Sequence, residues 1–252
     1  MNFRIPGRFA LSLTLPLLFG SLSAAQERGE QVLKKVEDTL NAPKDRTATM
    51  EMQLIDKSGN VKHRVIEIYQ KGDQKRLIRF LEPADVKGVG FLVLSDEEMW
   101  LYMPAFHKIR RIASHTKHEK FMGTDFTYDD LAESRYTEDY RAKVLSEDEQ
   151  TVVLELSPKP GSDVQYSRLV MKVRKSNWVP ERVEFYNKAG KLGKVLTNRK
   201  IERIGRYWTV TEMEMQDLLD QHRTLLTLRE VKHDTGLKDS IFTKRYLRRS
   251  AR

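Results

Sequence analysis

The chain has 252 residues, a formal net charge of +9 and no cysteine. Without cysteine it can form neither disulfides nor thiolate metal sites, and thiol catalysis is excluded. A basic balance can indicate nucleic-acid binding, but here Lys and Arg alternate with apolar residues along strand patterns, as in residues 75–80. This pattern favours a solvated sheet face and no nucleic-acid partner. The alternative is attraction to an anionic membrane surface or to an acidic partner.

Residues 1–25 have the pattern of a cleavable signal peptide. Two arginines precede an apolar run over residues 9–22, which is too short to span a bilayer comfortably. Ser23, Ala24 and Ala25 supply the small residues that favour cleavage. We therefore expect export to the periplasm and one mature domain over residues 26–252. The alternative is an uncleaved membrane anchor.

Helical spacing of apolar residues predicts a helix over residues 27–40, and Pro43 follows its end. The chain then changes to alternating patterns that predict about a dozen strands in an antiparallel meander. The predicted strands are residues 47–54, 61–71, 74–81, 91–94, 98–103, 108–112, 136–145, 151–157, 167–174, 179–186, 192–203, 208–218 and 223–233. A non-strand interval covers residues 113–133, and residues 239–249 have a short helical pattern.

Many of the predicted strands carry apolar residues on both faces. Ile78 and Phe80 point opposite to Leu77, and Met99 points opposite to Trp100. A sheet with one face in water would alternate more cleanly, so both faces must be covered or one must enclose something apolar. The predicted fold class is mainly β with a few helices (α+β). We expect a single strongly curved antiparallel sheet, a half-closed barrel whose mouth the helices could plug.

Methionine gives a second indication of an apolar cavity. Seven methionines fall on strand patterns, and their flexible, polarizable side chains suit surfaces that fit variable apolar ligands. Ordinary core filling is the alternative interpretation. The candidate ligand-binding residues are Met50, Met52, Leu54, Phe80, Phe91, Trp100, Tyr102, Met213, Met215 and Leu226.

The segment of residues 121–131 places three carboxylates, Asp125, Asp129 and Asp130, within six residues. Such a cluster could serve acid–base or metal chemistry in a hydrolase. The favoured interpretation is structural, because Thr127 followed three residues later by Asp130 resembles a capping box. Asp129 and Asp130 would then occupy a first helical turn, where the helix dipole favours negative charge.

Other catalytic signals are weak. His115 and His118, with His107 upstream, could ligate zinc, but no His-Glu-x-x-His pattern is present and surface histidines are the favoured interpretation. The sequence contains no Gly-x-Ser-x-Gly elbow, phosphate loop or dinucleotide fingerprint. We therefore expect no enzymatic activity, no metal and no cofactor.

The segment of residues 121–131 also fills every position of the signature Phe-x-Gly-Thr-Asp-Phe-Ser/Thr-Tyr-Glu/Asp-Asp-Leu/Met. With the signal-peptide pattern, the N-terminal helix and the meander, it resembles one branch of the outer-membrane lipoprotein-sorting (LolA-like) superfamily. Residues 87–92, 100–104, 110–112 and 242–247 look like the same branch. The motif residues, expected to belong to a lid, are Phe121, Gly123, Thr124, Asp125, Phe126, Tyr128 and Asp130.

The resemblance implies an unclosed half-barrel whose concave apolar face is covered by helices. It also implies a monomeric, non-enzymatic periplasmic carrier that takes lipid or lipidated protein toward the outer membrane, with an inner-membrane transporter of the RND/MMPL type as partner. The lipoprotein carrier of this superfamily latches its lid with a buried arginine. Arg79, Arg110 and Arg111 are candidates, although no motif matches them.

The alternative function is a non-carrier interaction or sensor module that docks on a membrane transporter, with its own side chains filling the cavity. A basic C-terminal tail could contribute to docking on a partner or membrane. Its cations are Lys244, Arg245, Arg248 and Arg249.

Overall fold

A computed structural model describes residues 18–132 and 135–249 of the chain. Most of the predicted signal peptide, residues 1–17, lies outside the described residues, and its cleavage stays a prediction. Helix α1 spans Leu18–Leu40 and contains the predicted helix of residues 27–40. No helix among the described residues combines the length and apolar character needed to cross a membrane.

Strands dominate the rest of the described chain. They are β1 (Asp45–Ile55), β2 (Val61–Lys71), β3 (Lys75–Glu82), β4 (Gly90–Ser95), β5 (Glu98–Met103), β6 (Lys108–Arg111), β7 (Tyr140–Glu147), β8 (Thr151–Pro158), β9 (Arg168–Arg174), β10 (Pro180–Tyr186), β11 (Leu192–Ile204), β12 (Tyr207–Asp217) and β13 (His222–His233). The short helices are α2 (Tyr128–Ala132), α3 (Tyr136–Asp139) and α4 (Lys244–Leu247), and single 3₁₀ turns cover Pro104–Phe106, Ser114–Thr116, Phe121–Gly123 and Asp239–Ile241.

The predicted strands of residues 61–71 and 98–103 match β2 and β5 residue for residue. The predicted strand of residues 136–145 is wrong at its start, because α3 precedes β7. The Glu37 carboxylate of α1 accepts hydrogen bonds from the backbone N–H and the hydroxyl of Thr137, at 2.6 and 2.8 Å. A contact from a distant helix therefore overrides the local strand pattern.

All thirteen strands form one antiparallel sheet in the order β6-β5-β4-β3-β2-β1-β13-β12-β11-β10-β9-β8-β7. The sheet does not close into a barrel, because β6 and β7 lie at opposite edges. The prediction of a single unclosed antiparallel sheet with few helices is confirmed. The chain between β6 and β7 joins the two edges and contains residues 121–131, here called the motif segment.

Apolar residues cover both sides of the sheet, as their alternation predicts. The side that carries Met50, Ile78 and Phe91, here called the core face, forms one buried cluster with α1 and the motif segment. On the opposite side, here called the tail face, Leu77, Leu92 and Tyr102 pack against Phe242 and Leu247 of the C-terminal segment. Each face is therefore covered by a different part of the chain.

Helix α1 lies unusually close to the edge strand β7. A Cβ atom placed on Gly29 would lie only 2.6 Å from the carbonyl oxygen of Ala142 and 2.7 Å from the Cα of Lys143. The Glu30 carboxylate accepts a hydrogen bond from the Ala142 N–H at 2.9 Å. This close approach buries Val32, Leu33 and Val36 of the helix completely.

Asp45, at the start of β1, fixes the beginning of the C-terminal segment. Its carboxylate accepts hydrogen bonds from the N–H and hydroxyl of Thr235 at 2.6 and 2.8 Å. It also accepts from the N–H groups of Gly236 and Leu237 at 2.8 and 3.0 Å. Burial by itself would raise the pKa of Asp45, but these hydrogen bonds outweigh it and lower the pKa.

We predict that Gly29→Ala destabilises the protein. Helix propensity alone would make this change stabilising by up to about 1 kcal/mol. The added methyl group instead meets the backbone of β7, so we expect a loss of about 1–3 kcal/mol in the free energy of unfolding. Urea unfolding at neutral pH measures the difference. A gain in stability would show that α1 does not need its close approach to β7.

We predict that Asp45→Asn weakens the protein by about 2 kcal/mol at pH 7, because hydrogen bonds to a charged acceptor are lost. The folded-state pKa of Asp45 is lowered, so its contribution is present above the ordinary aspartate pKa of about 3.9 and is lost as pH falls through the folded value. Urea unfolding should show the gap between variant and wild type narrowing below pH 4. A gap independent of pH would contradict this, and Glu149→Gln in an exposed turn is the control.

Candidate functional site

A cavity of about 280 Å³ lies between the core face and the motif segment. Strands β1, β2, β3, β11, β12 and β13 form one wall, and the end of α1 contributes to its rim. Its apolar lining includes Ala48, Met50, Met52, Ile66, Ile68, Ile78, Phe121, Phe126, Leu131, Leu196, Val210, Met213, Leu226 and Leu228. This apolar part of the lining can enclose an apolar chain, and the cavity is also lined by Glu37, Arg46, Gln70, Arg76 and Asp130.

The structure brings only part of the predicted cavity set together at this site. Met50, Met52, Met213 and Leu226 line the cavity. Four other predicted residues are buried in the same core cluster but do not line the cavity: Leu54, Phe80, Phe91 and Met215. That any of them binds a ligand stays a prediction.

The prediction that Trp100 and Tyr102 line the cavity is wrong. Side chains alternate along β5, and Met99 and Leu101 take the core face. Trp100 and Tyr102 therefore lie on the tail face, where Tyr102 is buried against the C-terminal segment. The Lys244 ammonium lies 3.2 Å from the centroid of the Trp100 ring, so this cation of the predicted docking tail is used within the fold.

The motif segment begins with a tight turn. Phe121 donates its N–H to the Phe126 carbonyl at 2.8 Å, and the Thr124 hydroxyl donates to the Phe121 carbonyl at 2.8 Å. Met122 and Gly123 both have positive φ, at 49° and 76°, a region that glycine enters without strain. The turn directs the Phe121 ring into the core, where its centroid lies 5.4 Å from that of Tyr128.

The predicted capping box at the start of α2 is confirmed. The Asp130 N–H donates to the Thr127 hydroxyl at 3.0 Å, and the Thr127 N–H donates to the Asp130 carboxylate at 2.8 Å. The Tyr166 hydroxyl also donates to this carboxylate at 2.9 Å, and the Lys194 ammonium lies 3.6 Å away. Asp130 therefore holds α2 against the far half of the sheet.

Asp125 attaches the motif segment to β13. It is fully buried, and its Oδ2 accepts a hydrogen bond from the Thr224 hydroxyl at 2.7 Å and lies 2.7 Å from Nδ1 of His222. Its backbone N–H donates to the same Thr224 hydroxyl at 3.0 Å. These contacts join the segment to the middle of the sheet.

Asp129 has a third set of partners. Its carboxylate lies 3.8 Å from the Lys117 ammonium and 3.6 Å from Nδ1 of His118, and burial raises the pKa of Asp129 to about 7. The three motif carboxylates thus point to three separate groups of partners, which removes the geometric basis of the hydrolase hypothesis. In residues 18–132 and 135–249, no group of three or more His, Cys, Asp or Glu side chains could hold a metal ion.

The predicted latch residues lie away from the motif segment. Arg79 is 3% exposed on the tail face and donates hydrogen bonds of 2.8 Å to the Glu67 carboxylate and the Tyr246 carbonyl. It therefore fixes the C-terminal segment. Arg110 and Arg111 are exposed on the edge strand β6.

Two other arginines, which sequence reasoning missed, hold the motif segment. Arg64 donates to the Met122 carbonyl, and Arg76 donates to the Leu131 carbonyl. The interpretation of residues 75–80 as a solvated face is therefore wrong for Arg76 and Arg79. The sequence could have shown that Arg76 faces the core, because Arg76 lies on the same strand face as the apolar residues Ile78 and Phe80.

Known families and structures share this architecture. A family model described as DUF1329-like, an uncharacterized protein, matches residues 72–249. A DUF1329 family protein from Desulfovibrio piger has a TM-score of 0.84 and 28% identity, over 88% of this chain and 99% of its own. A chain assigned as an outer membrane lipoprotein-sorting protein domain, from Vibrio parahaemolyticus, has a TM-score of 0.82 and 30% identity, over 89% and 100%. The chain belongs to this DUF1329-like, lipoprotein-sorting family.

The family assignment confirms the resemblance seen in the sequence. A LolA superfamily protein from Nitrosomonas europaea shares the fold of this DUF1329-like chain, with a TM-score of 0.73 and 23% identity over 86% of this chain and 98% of its own. A search of curated protein sequences found no match.

We predict that Asp125→Ala loosens the motif segment of this DUF1329-like protein. The change leaves the Thr224 hydroxyl and the His222 ring without their buried acceptor, so unfolding should become easier by about 1–3 kcal/mol. Hydrogen–deuterium exchange should show faster exchange of the amides of residues 121–131. Asp38→Ala is the matched control, because that carboxylate is 61% exposed and pairs with Lys34 within α1. Equal exchange in both variants would show that Asp125 does not anchor the segment.

Proposed function

We propose that this DUF1329-like protein is a non-enzymatic periplasmic carrier that holds the acyl part of a lipid or of a lipidated protein. The observation that supports this is the apolar cavity of about 280 Å³ beneath the motif segment. A sheet that only needed a core would fill this space with its own side chains. The similarity to the outer membrane lipoprotein-sorting protein domain from Vibrio parahaemolyticus agrees with transport toward the outer membrane.

In this proposal the sheet is a curved half-barrel, and α1 and the motif segment are the lid over its concave face. The cavity lies near the lower end of the range of about 300–1,000 Å³ found for ligand pockets. Each buried CH₂ contributes about 0.8 kcal/mol, so a dozen methylenes would contribute about 10 kcal/mol before the cost of ordering. Burial of one acyl chain is sufficient to hold the cargo, and no catalytic group is needed.

Cargo entry requires the motif segment to move relative to the sheet. Asp125 attaches it to β13, while Arg64 and Arg76 attach it to β2 and β3. These polar contacts lie at the border of the cavity and can break and form again without loss of the apolar core. We infer that the motif segment is the gate of the carrier.

The partner of such a carrier is a membrane protein that hands over the cargo, in this proposal an inner-membrane transporter of the RND/MMPL type. The carrier acts as a monomer and reaches the periplasm through its N-terminal signal peptide. The alternative is a sensor or docking module without cargo. The open space between Met50, Met213 and Leu226 favours the carrier.

We predict that lipid or an acylated species purifies with the mature protein from the periplasm. Native mass spectrometry followed by organic extraction measures it. Met213→Asp or Leu226→Asp should abolish the bound mass, because a carboxylate in the cavity would lose its hydration. Leu219→Asp is the control, since Leu219 is 49% exposed. A wild-type mass without ligand, unchanged after incubation with lipid, would favour the docking module.

A further inference from the structure

A row of polar side chains crosses one end of the apolar cavity. Strand register places Arg46 of β1 opposite Gln70 of β2, and Gln70 opposite Arg76 of β3, and all three line the cavity. His233 of β13 lies opposite Arg46 on its other side. Because neighbouring strands lie about 4.8 Å apart, the two arginine backbones stand about 10 Å apart on either side of Gln70.

The cavity is therefore polar at one end and apolar along its length. Successive core-face residues of β1 after Arg46 are Ala48, Met50 and Met52, and all of them line the cavity. This order matches a ligand with a polar group at one end of an apolar chain. We call the row of Arg46, Gln70 and Arg76 the arginine row.

Neither arginine of the row forms an ion pair with a carboxylate in residues 18–132 and 135–249. Nη2 of Arg46 donates a hydrogen bond to the Leu40 carbonyl at 3.3 Å, and its buried Nε has no hydrogen-bond partner among the described residues. Burial lowers the pKa of Arg46. Burial and, next, the nearby charge of Arg46 lower the pKa of Arg76 to about 10, although Asp96 and Tyr136 act in the opposite direction.

The carboxylates that line the cavity are already occupied. Glu37 accepts two hydrogen bonds from Thr137. Asp130 accepts from Thr127 and Tyr166. No ion pair that the described residues form includes either arginine of the row. Two half-buried like charges without an ion-pair partner among the described residues are costly, and a bound anion would relieve the cost.

We propose that the arginine row binds the anionic group, a carboxylate or a phosphate, of a single-chain amphiphile whose acyl chain lies along Ala48, Met50 and Met52. The planar guanidinium fork matches the oxygens of both anions and binds either through paired hydrogen bonds. This inference rests on the proposed carrier function and narrows its cargo. The cavity volume fits one chain, and acyl groups held only by amide or ester bonds would give the arginines no anion.

The test compares dodecanoate with its methyl ester, both below micellar concentration, by calorimetric titration of the full mature chain. We expect dodecanoate to bind about tenfold or more tightly than the ester, because only the acid offers a charged acceptor. Arg46→Gln should remove this preference by weakening dodecanoate alone. Arg110→Gln is the matched control, because it removes one exposed positive charge from edge strand β6.

Two further ligands distinguish the sources of the anion. Dodecyl phosphate binding more tightly than dodecanoate would assign the row to a phosphate headgroup, and the reverse order would assign it to a carboxylate. Inorganic phosphate binding as tightly as dodecyl phosphate would overturn the assignment to an amphiphile, because the chain would then contribute nothing.

Other outcomes separate this inference from the carrier function itself. Equal affinity of wild type for the acid and the ester would overturn the arginine row as an anion site and leave the carrier intact. Equal weakening of both ligands by Arg46→Gln would assign Arg46 a packing role at Leu40. Failure of every chain-bearing ligand to bind would overturn both proposals. The wild-type comparison needs no variant, so it decides the question even if Arg46→Gln fails to fold.

Discussion

The antiparallel pairing of β1 with β13 in the middle of the sheet sets the path of the whole chain. It joins the first and last strands, so the two meanders grow outward and end at β6 and β7 on opposite edges. The chain must then cross a face of the sheet to connect them. The crossing carries the motif segment, which is why a short sequence far from β13 can attach to it through Asp125. The cavity is the space left beneath this crossing.

Arginines fix the covering segments on both faces of the sheet. On the core face Arg64 and Arg76 donate to backbone carbonyls of the motif segment. On the tail face Arg79 donates to the Tyr246 carbonyl next to the buried Leu247. Glu67 balances the charge of Arg79, whereas the carbonyl acceptors of Arg64 and Arg76 satisfy the geometry of a guanidinium without balancing its charge. The motif segment is thus held in place while positive charge remains at the cavity.

The sequence predicted most of the fold and only part of the site. Alternation predicted β2 and β5 to the residue, since β2 follows the turn at Gly59 and Pro104 directly follows β5. It also showed that Trp100 opposes Met99, but it could not show which face holds the cavity, because strand order is a long-range property. The capping box of Thr127 and Asp130 was predictable because it is local. Arg46 was missed because a cation in a strand pattern suggests solvent unless its same-face neighbours are considered.

An unclosed sheet leaves two edges whose unpaired backbone groups can recruit strands from other molecules. Edge strand β6 is only four residues long, and three of them, Lys108, Arg110 and Arg111, are basic. Edge strand β7 is shielded instead by α1, whose Glu30 occupies the Ala142 N–H. Helix α1, which completes the core, therefore also blocks the pairing of β7 with an edge strand of another molecule. Its loss would expose the backbone groups of β7 to pairing with a strand of another molecule.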